Sequence, residues 1–249
     1  MSADVIKSAR RAFDVLEHFD STRRPLSLKD ITDHFGYPVS SASGLLKSLV
    51  QLGYLSYDRY TRTYLPTTRL ATLGNWVTEE LCDPPLLALM EQLHLLTQET
   101  IVLGTQSDLH AQYTHVIPST LPLRVHMRPG TIRPLATSGI GLALLSARSD
   151  DEIDLLVRRM NVAETDRAQR IDITSVMASV ESARRQGFVF SRGQVTTGVG
   201  LIALLLPEAR HGRRFALGIG GPVWRLEEKA EMLLDTMRQG IAGHVVDTA

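Results

Sequence analysis

The chain has 249 residues, with 27 Lys and Arg against 27 Asp and Glu, one cysteine, 43% hydrophobic and 22% charged residues. That length exceeds one ordinary domain and carries apolar material for two packed cores, which excludes global disorder, while the lone Cys82 excludes a disulfide scaffold or a multi-cysteine zinc site. The longest apolar runs, Ile140–Leu145 and Leu201–Leu206, fall far short of the roughly 20 residues that span a bilayer, and the mixed-charge start is unlike a signal peptide, so a soluble, cytoplasmic protein is expected.

Charge is unevenly placed. Residues 1–70 hold ten Lys and Arg against seven Asp and Glu, which leaves a head of +3 and a body of −3. In the head, Ala9, Ala12, Phe13, Leu16 and Phe19 recur at helical spacing and predict a helix over Lys7–Phe19. Ser27 is an N-cap for a second helix, Leu28–Phe35, with Asp30 three residues on and Gly36 as its terminator. Tyr37-Pro38 makes a turn into a third helix, Val39–Leu52, whose buried stripe is Ala42, Leu45, Leu46 and Leu49 and which Gly53 stops. Two short strands, Tyr54–Tyr57 and Thr63–Leu65, flank a polar tip at Asp58–Arg62.

Helix, helix, glycine turn, helix, ribbon is the order of a winged helix-turn-helix. A helix that enters the major groove needs small polar residues on its outer N-terminal face, so that backbone and base edges approach closely. Ser40, Ser41, Ser43 and Gly44 fill that face, and Lys47 follows one turn later, where phosphates lie. At the ribbon tip Arg59, Tyr60 and Arg62 place cations and a hydroxyl for sugar–phosphate or minor-groove contact. The alternative is a packing or protein-binding module, with Tyr57 and Tyr64 as half-buried sheet residues.

Leu70, Leu73, Trp76, Val77 and Leu81 mark the apolar face of a connecting helix that ends before Asp83-Pro84-Pro85, with Cys82 a structural residue at its end. That face packs either on the helix's own domains or on a second subunit. Beyond it, a helix at Leu86–Thr97 precedes strands Thr100–Gln106, Gln112–Ile117 and Leu123–His126. Helices follow at Gly139–Ala147, Asp150–Arg159 and Ile173–Gln186, then strands Phe188–Arg192, Val199–Leu206 and Phe215–Ile219, then a helix over Leu226–His244. Two groups of strands with helices between and around them predict an α+β sheet covered by helices. The body has no G-x-S-x-G elbow, phosphate-binding P-loop or dinucleotide fingerprint. Its histidines form no metal-binding pattern, and His126 lies among cations in Arg124-Val-His-Met-Arg128. No catalytic residue, cofactor or metal is therefore expected. The helix start at Thr137-Ser138-Gly139-Ile140-Gly141 offers backbone N–H groups to a carboxylate, or its glycines serve close packing alone.

Several of these stretches resemble the IclR family of transcriptional regulators. They are Ser8-Ala-Arg-Arg-Ala-Phe-Asp-Val-Leu-Glu, Leu28-Lys-Asp-Ile, Ser43-Gly-Leu-Leu-Lys-Ser-Leu-Val-Gln-Leu-Gly-Tyr-Leu and Tyr64-Leu-Pro-Thr-Thr-Arg-Leu-Ala-Thr-Leu-Gly, joined in the body by Pro134-Leu-Ala-Thr-Ser-Gly-Ile-Gly, Gly187-Phe-Val, Thr197-Gly-Val-Gly-Leu-Ile-Ala and Gly220-Gly-Pro. The resemblance covers nearly the whole chain in order. It implies a winged helix-turn-helix over 1–67, a linker helix over 68–83 and a GAF-like α/β effector-binding domain over 84–249. It also implies a homodimer or tetramer on a palindromic double-stranded DNA operator. Where the family commonly has an arginine in the recognition helix, this chain has Gly44.

The resemblance further implies an effector pocket lined by Arg124, His126, Met127, Ser138, Gly139, Ile140, Ser191, Leu201, Gly218 and Gly220. Family members that sense very small keto acids tend to carry an acid, a cysteine and serines in the last strands. Ser191, Leu201, Gly218 and Gly220 at those positions predict a roomier, less polar pocket. With Arg124, His126, Arg128 and Arg133 near it, the expected effector is a small organic acid with an apolar or aromatic body, and the expected role is control of catabolic genes. The competing readings are a soluble enzyme for such an acid with a protein-binding head, and a DNA-binding protein whose body only oligomerises.

Overall fold

The computed structural model describes residues 6–81, 84–207 and 212–247, the side chains of 75–81 and 244–247 excepted. The chain divides into two compact units, Met1–Glu79 and Glu80–Ala249.

In the first unit, α1 (Lys7–Thr22) is followed by β1 (Leu26–Ser27), α2 (Leu28–Phe35), α3 (Val39–Gln51), β2 (Leu55–Asp58), β3 (Thr63–Pro66) and α4 (Thr68–Leu81). The strands form an antiparallel sheet in the order β1-β3-β2. Ser27 and Asp30 close a full capping box: the Ser27 N–H donates to Asp30 Oδ2 at 2.7 Å and the Asp30 N–H to Ser27 Oγ at 3.2 Å. These bonds hold the Asp30 carboxyl below its ordinary range. The box therefore adds stability above the ordinary aspartate pKa and loses it as pH falls through the lowered one. Val15, Phe19, Leu26, Ile31, Leu46, Leu49, Leu55 and Tyr64 form the core.

The buried face of α1 differs from the expected one. Phe13 is 64% exposed, Ala9 is exposed, and Val15 is fully buried. The inward stripe is Ala12, Val15, Leu16 and Phe19, which obeys the same helical spacing set off by a different start. Leu45 on α3 is half-buried beside its buried neighbours Ala42, Leu46 and Leu49. On α4, Leu70 is half-buried and Leu73 exposed; the side chains of Trp76, Val77 and Leu81, and Cys82 altogether, lie outside the described residues.

The second unit runs α5 (Pro84–Thr97), β4 (Thr100–Ser107), β5 (His110–Ile117), β6 (Ile132–Pro134), α6 (Gly139–Leu145), α7 (Asp150–Ala163), a 3-10 turn (Arg167–Gln169), α8 (Ile173–Gln186), β7 (Val189–Arg192), β8 (Val199–Leu205), β9 (Phe215–Pro222), α9 (Val223–Glu228) and α10 (Ala230–Asp247). One antiparallel sheet has the order β6-β5-β4-β9-β8-β7. Val102, Leu201, Ala203 and Ala216 pack under α6, α7 and α8. The alternate residues Ile101, Ile202, Leu217 and Ile219 are also buried, as a sheet covered on both faces requires. Helices α5 and α10 pack closely on one another.

Three expectations for this unit are corrected. Residues 123–126 are irregular chain; the strand that pairs β5 is β6, through His110–Pro134, Ala111–Arg133 and Gln112–Ile132. The last helix is two helices broken at Lys229, the first beginning at Val223 directly after Pro222. Helix α5 starts at Pro84, because prolines are tolerated in a first turn where their missing N–H is not needed.

A buried ion pair crosses the sheet end. Glu99 is completely buried and Arg225 is 8% exposed. Arg225 Nε donates to Glu99 Oε1, Nη2 donates to Glu99 Oε2 at 2.8 Å, and Nη2 also donates to the Leu123 carbonyl at 2.9 Å. A Cβ at Gly221 would stand 2.8 Å from Glu99 Oε2, so the carboxylate occupies the place of a side chain there. Arg225→Met strands a buried carboxylate and is expected to destabilise the body by about 3–5 kcal/mol. The double variant Glu99→Leu with Arg225→Met should lie closer to the wild type, measured as the shift in urea unfolding. A single variant within about 1 kcal/mol of the wild type would show that the pair is not desolvated as described.

Candidate functional site

The head offers one polar, cationic surface. On α3, Ser40, Ser41, Gly44 and Lys47 are exposed and Ser43 is half-buried, opposite the core-facing Ala42, Leu46 and Leu49. Ser41 is not a free hydroxyl: Arg11 Nη1, from α1, donates to its Oγ at 2.7 Å. The Arg11 guanidinium also lies 4.4 Å above the Tyr37 ring, and the Tyr37 hydroxyl donates to Asp14 Oδ2 at 2.9 Å. The structure thus brings a cation to the start of the recognition helix, where the sequence has Gly44 in place of an arginine. Sequence reasoning missed Arg11, because no local pattern says that α1 runs past the start of α3.

At the ribbon tip, Asp58 Oδ1 accepts the N–H groups of Tyr60 at 2.7 Å and Thr61 at 3.3 Å, which sets the turn. Arg62 takes the left-handed conformation, φ 54°. Tyr60 is 100% exposed, whereas Tyr64 is in the core with Tyr57 tilted against it at 4.7 Å, so Tyr60 alone of these tyrosines is held out from the protein. Among the described residues no carboxylate pairs with Lys47, Arg59 or Arg62. Unneutralised cations on a helix face and a ribbon tip suit a phosphate backbone.

In the body, a cavity of about 700 Å³ opens beside α6. Of the expected lining, Arg124, His126, Met127, Ser138, Gly139, Ser191 and Leu201 surround it. Ile140, Gly218 and Gly220 do not. A Cβ at Gly220 would meet Met127 Cε at 2.7 Å, and one at Gly218 would lie within 3.2 Å of Val102, Ile140 and Leu201. Methionine and leucine side chains therefore already fill the space over these glycines, and the expectation that glycine enlarges the cavity is corrected. Gly141 is a packing residue as well: its Cβ would fall 2.0 Å from the Leu135 carbonyl oxygen. Gly139 faces the cavity, where a Cβ would press on Leu201 Cδ2 at 2.8 Å.

The polar groups sort into engaged and available. Ser138 Oγ accepts the Gly141 N–H at 3.1 Å, so the α6 start is capped by its own serine and that donor is closed to a carboxylate. Ser191 Oγ bonds Gln194 Oε1 at 2.8 Å. Arg128 stands behind the wall and donates from Nε to His126 Nε2 at 2.8 Å. A guanidinium only donates, so Nε2 carries the lone pair and the His126 proton sits on Nδ1, as a donor. Arg124 spends one long bond, 3.4 Å, on the Ser119 carbonyl. Arg133 lies 6.0 Å from the ring of the buried Tyr113; burial raises the Tyr113 phenol above its ordinary value, and Arg133 opposes that rise. The available groups are cations and donors over a floor of Met127 and Leu201. Tyr113, Trp224 and the segment 195–199 complete the wall and were not expected, since nothing in their local sequence marks them. Among the described residues no group of three or more His, Cys, Asp and Glu is gathered as a metal site requires.

Against known proteins, residues 8–59 match the IclR helix-turn-helix domain, and residues 86–242 match the C-terminal domain of bacterial IclR transcriptional regulators. The HTH-type transcriptional regulator KdgR of Escherichia coli strain K12 is 25% identical over 231 residues, 91% of this chain and 86% of that protein. The effector domain of the IclR transcriptional regulator of Acinetobacter sp. ADP1 aligns with a TM-score of 0.60 at 30% identity, covering 64% of this chain and 93% of that domain. An IclR homologue from Microbacterium hydrocarbonoxydans, solved in complex with 4-hydroxybenzoate, shares the fold with a TM-score of 0.71 at 19% identity over 97% of this chain and 98% of that one.

Proposed function

Because the chain belongs to the IclR family of bacterial transcriptional regulators, with a DNA-binding and an effector-binding domain, we propose that its effector is a small organic acid with an apolar or aromatic body and that it controls catabolic genes. The observation that carries this reading is the cavity: cationic and donor groups of Arg124, Arg133 and His126 over the apolar side chains of Met127 and Leu201. That a fold relative holds 4-hydroxybenzoate is in keeping with such a ligand. Among the described residues neither serine in the wall bonds a histidine or a carboxylate, which favours a sensor over an enzyme that uses a serine nucleophile.

In this reading residues 1–67 bind a palindromic operator in the cytoplasm, 84–249 form the GAF-like sensor, and the linker 68–83 joins them in a homodimer or tetramer. Ligand acts through its different affinity for two arrangements of the paired heads. Ser40, Ser41, Ser43 and Gly44 face base edges, while Lys47, Arg59, Tyr60 and Arg62 hold sugar and phosphate.

Two experiments test the halves separately. Arg59→Ala with Arg62→Ala should weaken binding uniformly across DNA sequences and reduce the slope of log affinity against log salt by about 2 for each bound head, about 4 for a dimer on a palindrome, read by fluorescence anisotropy. An unchanged slope would remove the ribbon from the interface. In a thermal-shift screen of carboxylic acids, an effector present at about 100 times its Kd should stabilise the body by about 2.7 kcal/mol. Gly139→Val, which pushes Leu201 into the cavity, should abolish that shift while leaving DNA binding intact. A full shift in the valine variant would place the ligand elsewhere.

A further inference from the structure

Trp224 sits on the cavity wall with 58% of its surface exposed, although both of its neighbours in sequence are fixed. Before it, the Val223 N–H donates to the Gly198 carbonyl at 3.0 Å. After it, Arg225 is locked into the buried pair with Glu99. The backbone of Trp224 is therefore held on both sides, and its ring, with the Arg225 guanidinium 5.8 Å from its centroid, keeps more than half of its surface open. Large apolar surface of this kind gains free energy when something covers it.

The same lock reaches across the cavity. Arg225 Nη2 donates to the Leu123 carbonyl at 2.9 Å, and that carbonyl belongs to the peptide unit that begins Arg124. One hydrogen bond thus ties the residue after the tryptophan to the residue before the arginine. The backbone that carries a flat aromatic surface and the backbone that carries a guanidinium are thus tied together on the wall of one cavity.

We propose that Trp224 and Arg124 form a two-point reader that selects a planar aryl carboxylate, its carboxylate on Arg124 and its ring against the indole. The proposal rests on the organic-acid reading above and narrows it from apolar bodies in general to flat, conjugated ones. Trp224 makes the distinction because an aromatic face packs a flat ring more closely than a puckered one, whereas Arg124 takes any carboxylate.

The test is isothermal titration of the full chain with benzoate and with cyclohexanecarboxylate, which share the carboxylate and the six-carbon ring and differ in planarity. Benzoate should bind about threefold to tenfold more tightly, the factor that an aromatic pair supplies. Trp224→Leu keeps an apolar side chain and should remove that preference by weakening benzoate, with cyclohexanecarboxylate changed by no more than about twofold. Trp224→Phe should retain most of the preference. Equal affinity of the wild type for the two acids, or unchanged benzoate affinity in Trp224→Leu, would overturn the reader and leave the organic-acid reading standing. Failure of the wild type to bind either acid would also overturn the reader, and silence across the whole carboxylic-acid screen would overturn the organic-acid reading as well. A change in oligomeric mass in Trp224→Leu, with ligand affinities unchanged, would assign the tryptophan to a contact between copies and also overturn the reader.

Discussion

The Glu99–Arg225 pair is the constraint from which the effector-binding domain takes its shape. Two charges removed from water are tolerated only when each meets the other and the remaining donors find acceptors. Here the carboxylate takes two guanidinium N–H groups and the Leu123 carbonyl takes a third bond. The pair consequently joins three parts of the chain that no single element connects: the entry to β4, the irregular segment around Leu123 and the start of α9. Gly221 lacks a side chain where the carboxylate lies, and the Glu99 carbonyl accepts a hydrogen bond from His94 Nδ1 at 3.0 Å, which ties α5 to the same point. The segment that carries Arg124 and His126 pairs with no strand; this ion pair and a bond from Thr100 Oγ1 to the Val125 carbonyl at 3.3 Å hold it in place of a sheet ladder.

The cavity's chemistry follows from what is already spent. Its serines are committed, one to the cap of α6 and one to Gln194; the space above Gly218 is taken by Val102, Ile140 and Leu201, and that above Gly220 by Met127 and Leu201. What is left is positive or donating at the rim and apolar at the floor. In the DNA-binding domain the arrangement is complementary: among the described residues Lys47, Arg59 and Arg62 carry no carboxylate partner, and Arg11 brings a further cation to Ser41.

Most of the secondary structure was legible because its signals are local. Ser27 with Asp30 and Gly36 mark helix ends by their own chemistry, and α2 begins and ends where those residues put it. Leu123–His126 alternates like a strand, but its backbone is held by a side chain from position 225, and pairing of that range is invisible to local pattern. The face of α1 was misread because both Phe13 and Val15 fit an apolar stripe, and only the position of the neighbouring elements chooses between them. For the cavity, motif resemblance pointed to segments that surround it and to seven of the residues that line it. It did not show that Met127 covers Gly220 or that Trp224 stands at the rim, since both depend on distant packing.

The central claim is that acid binding in one domain and DNA binding in the other are coupled. The most direct test measures the affinity of the full chain for a duplex selected from random sequences, with and without saturating benzoate, and then the benzoate affinity with and without that duplex. The account predicts a change in DNA affinity of at least about fivefold, matched by the same factor in benzoate affinity, as linkage demands. Tight binding of both ligands with neither affinity altered by the other would contradict it.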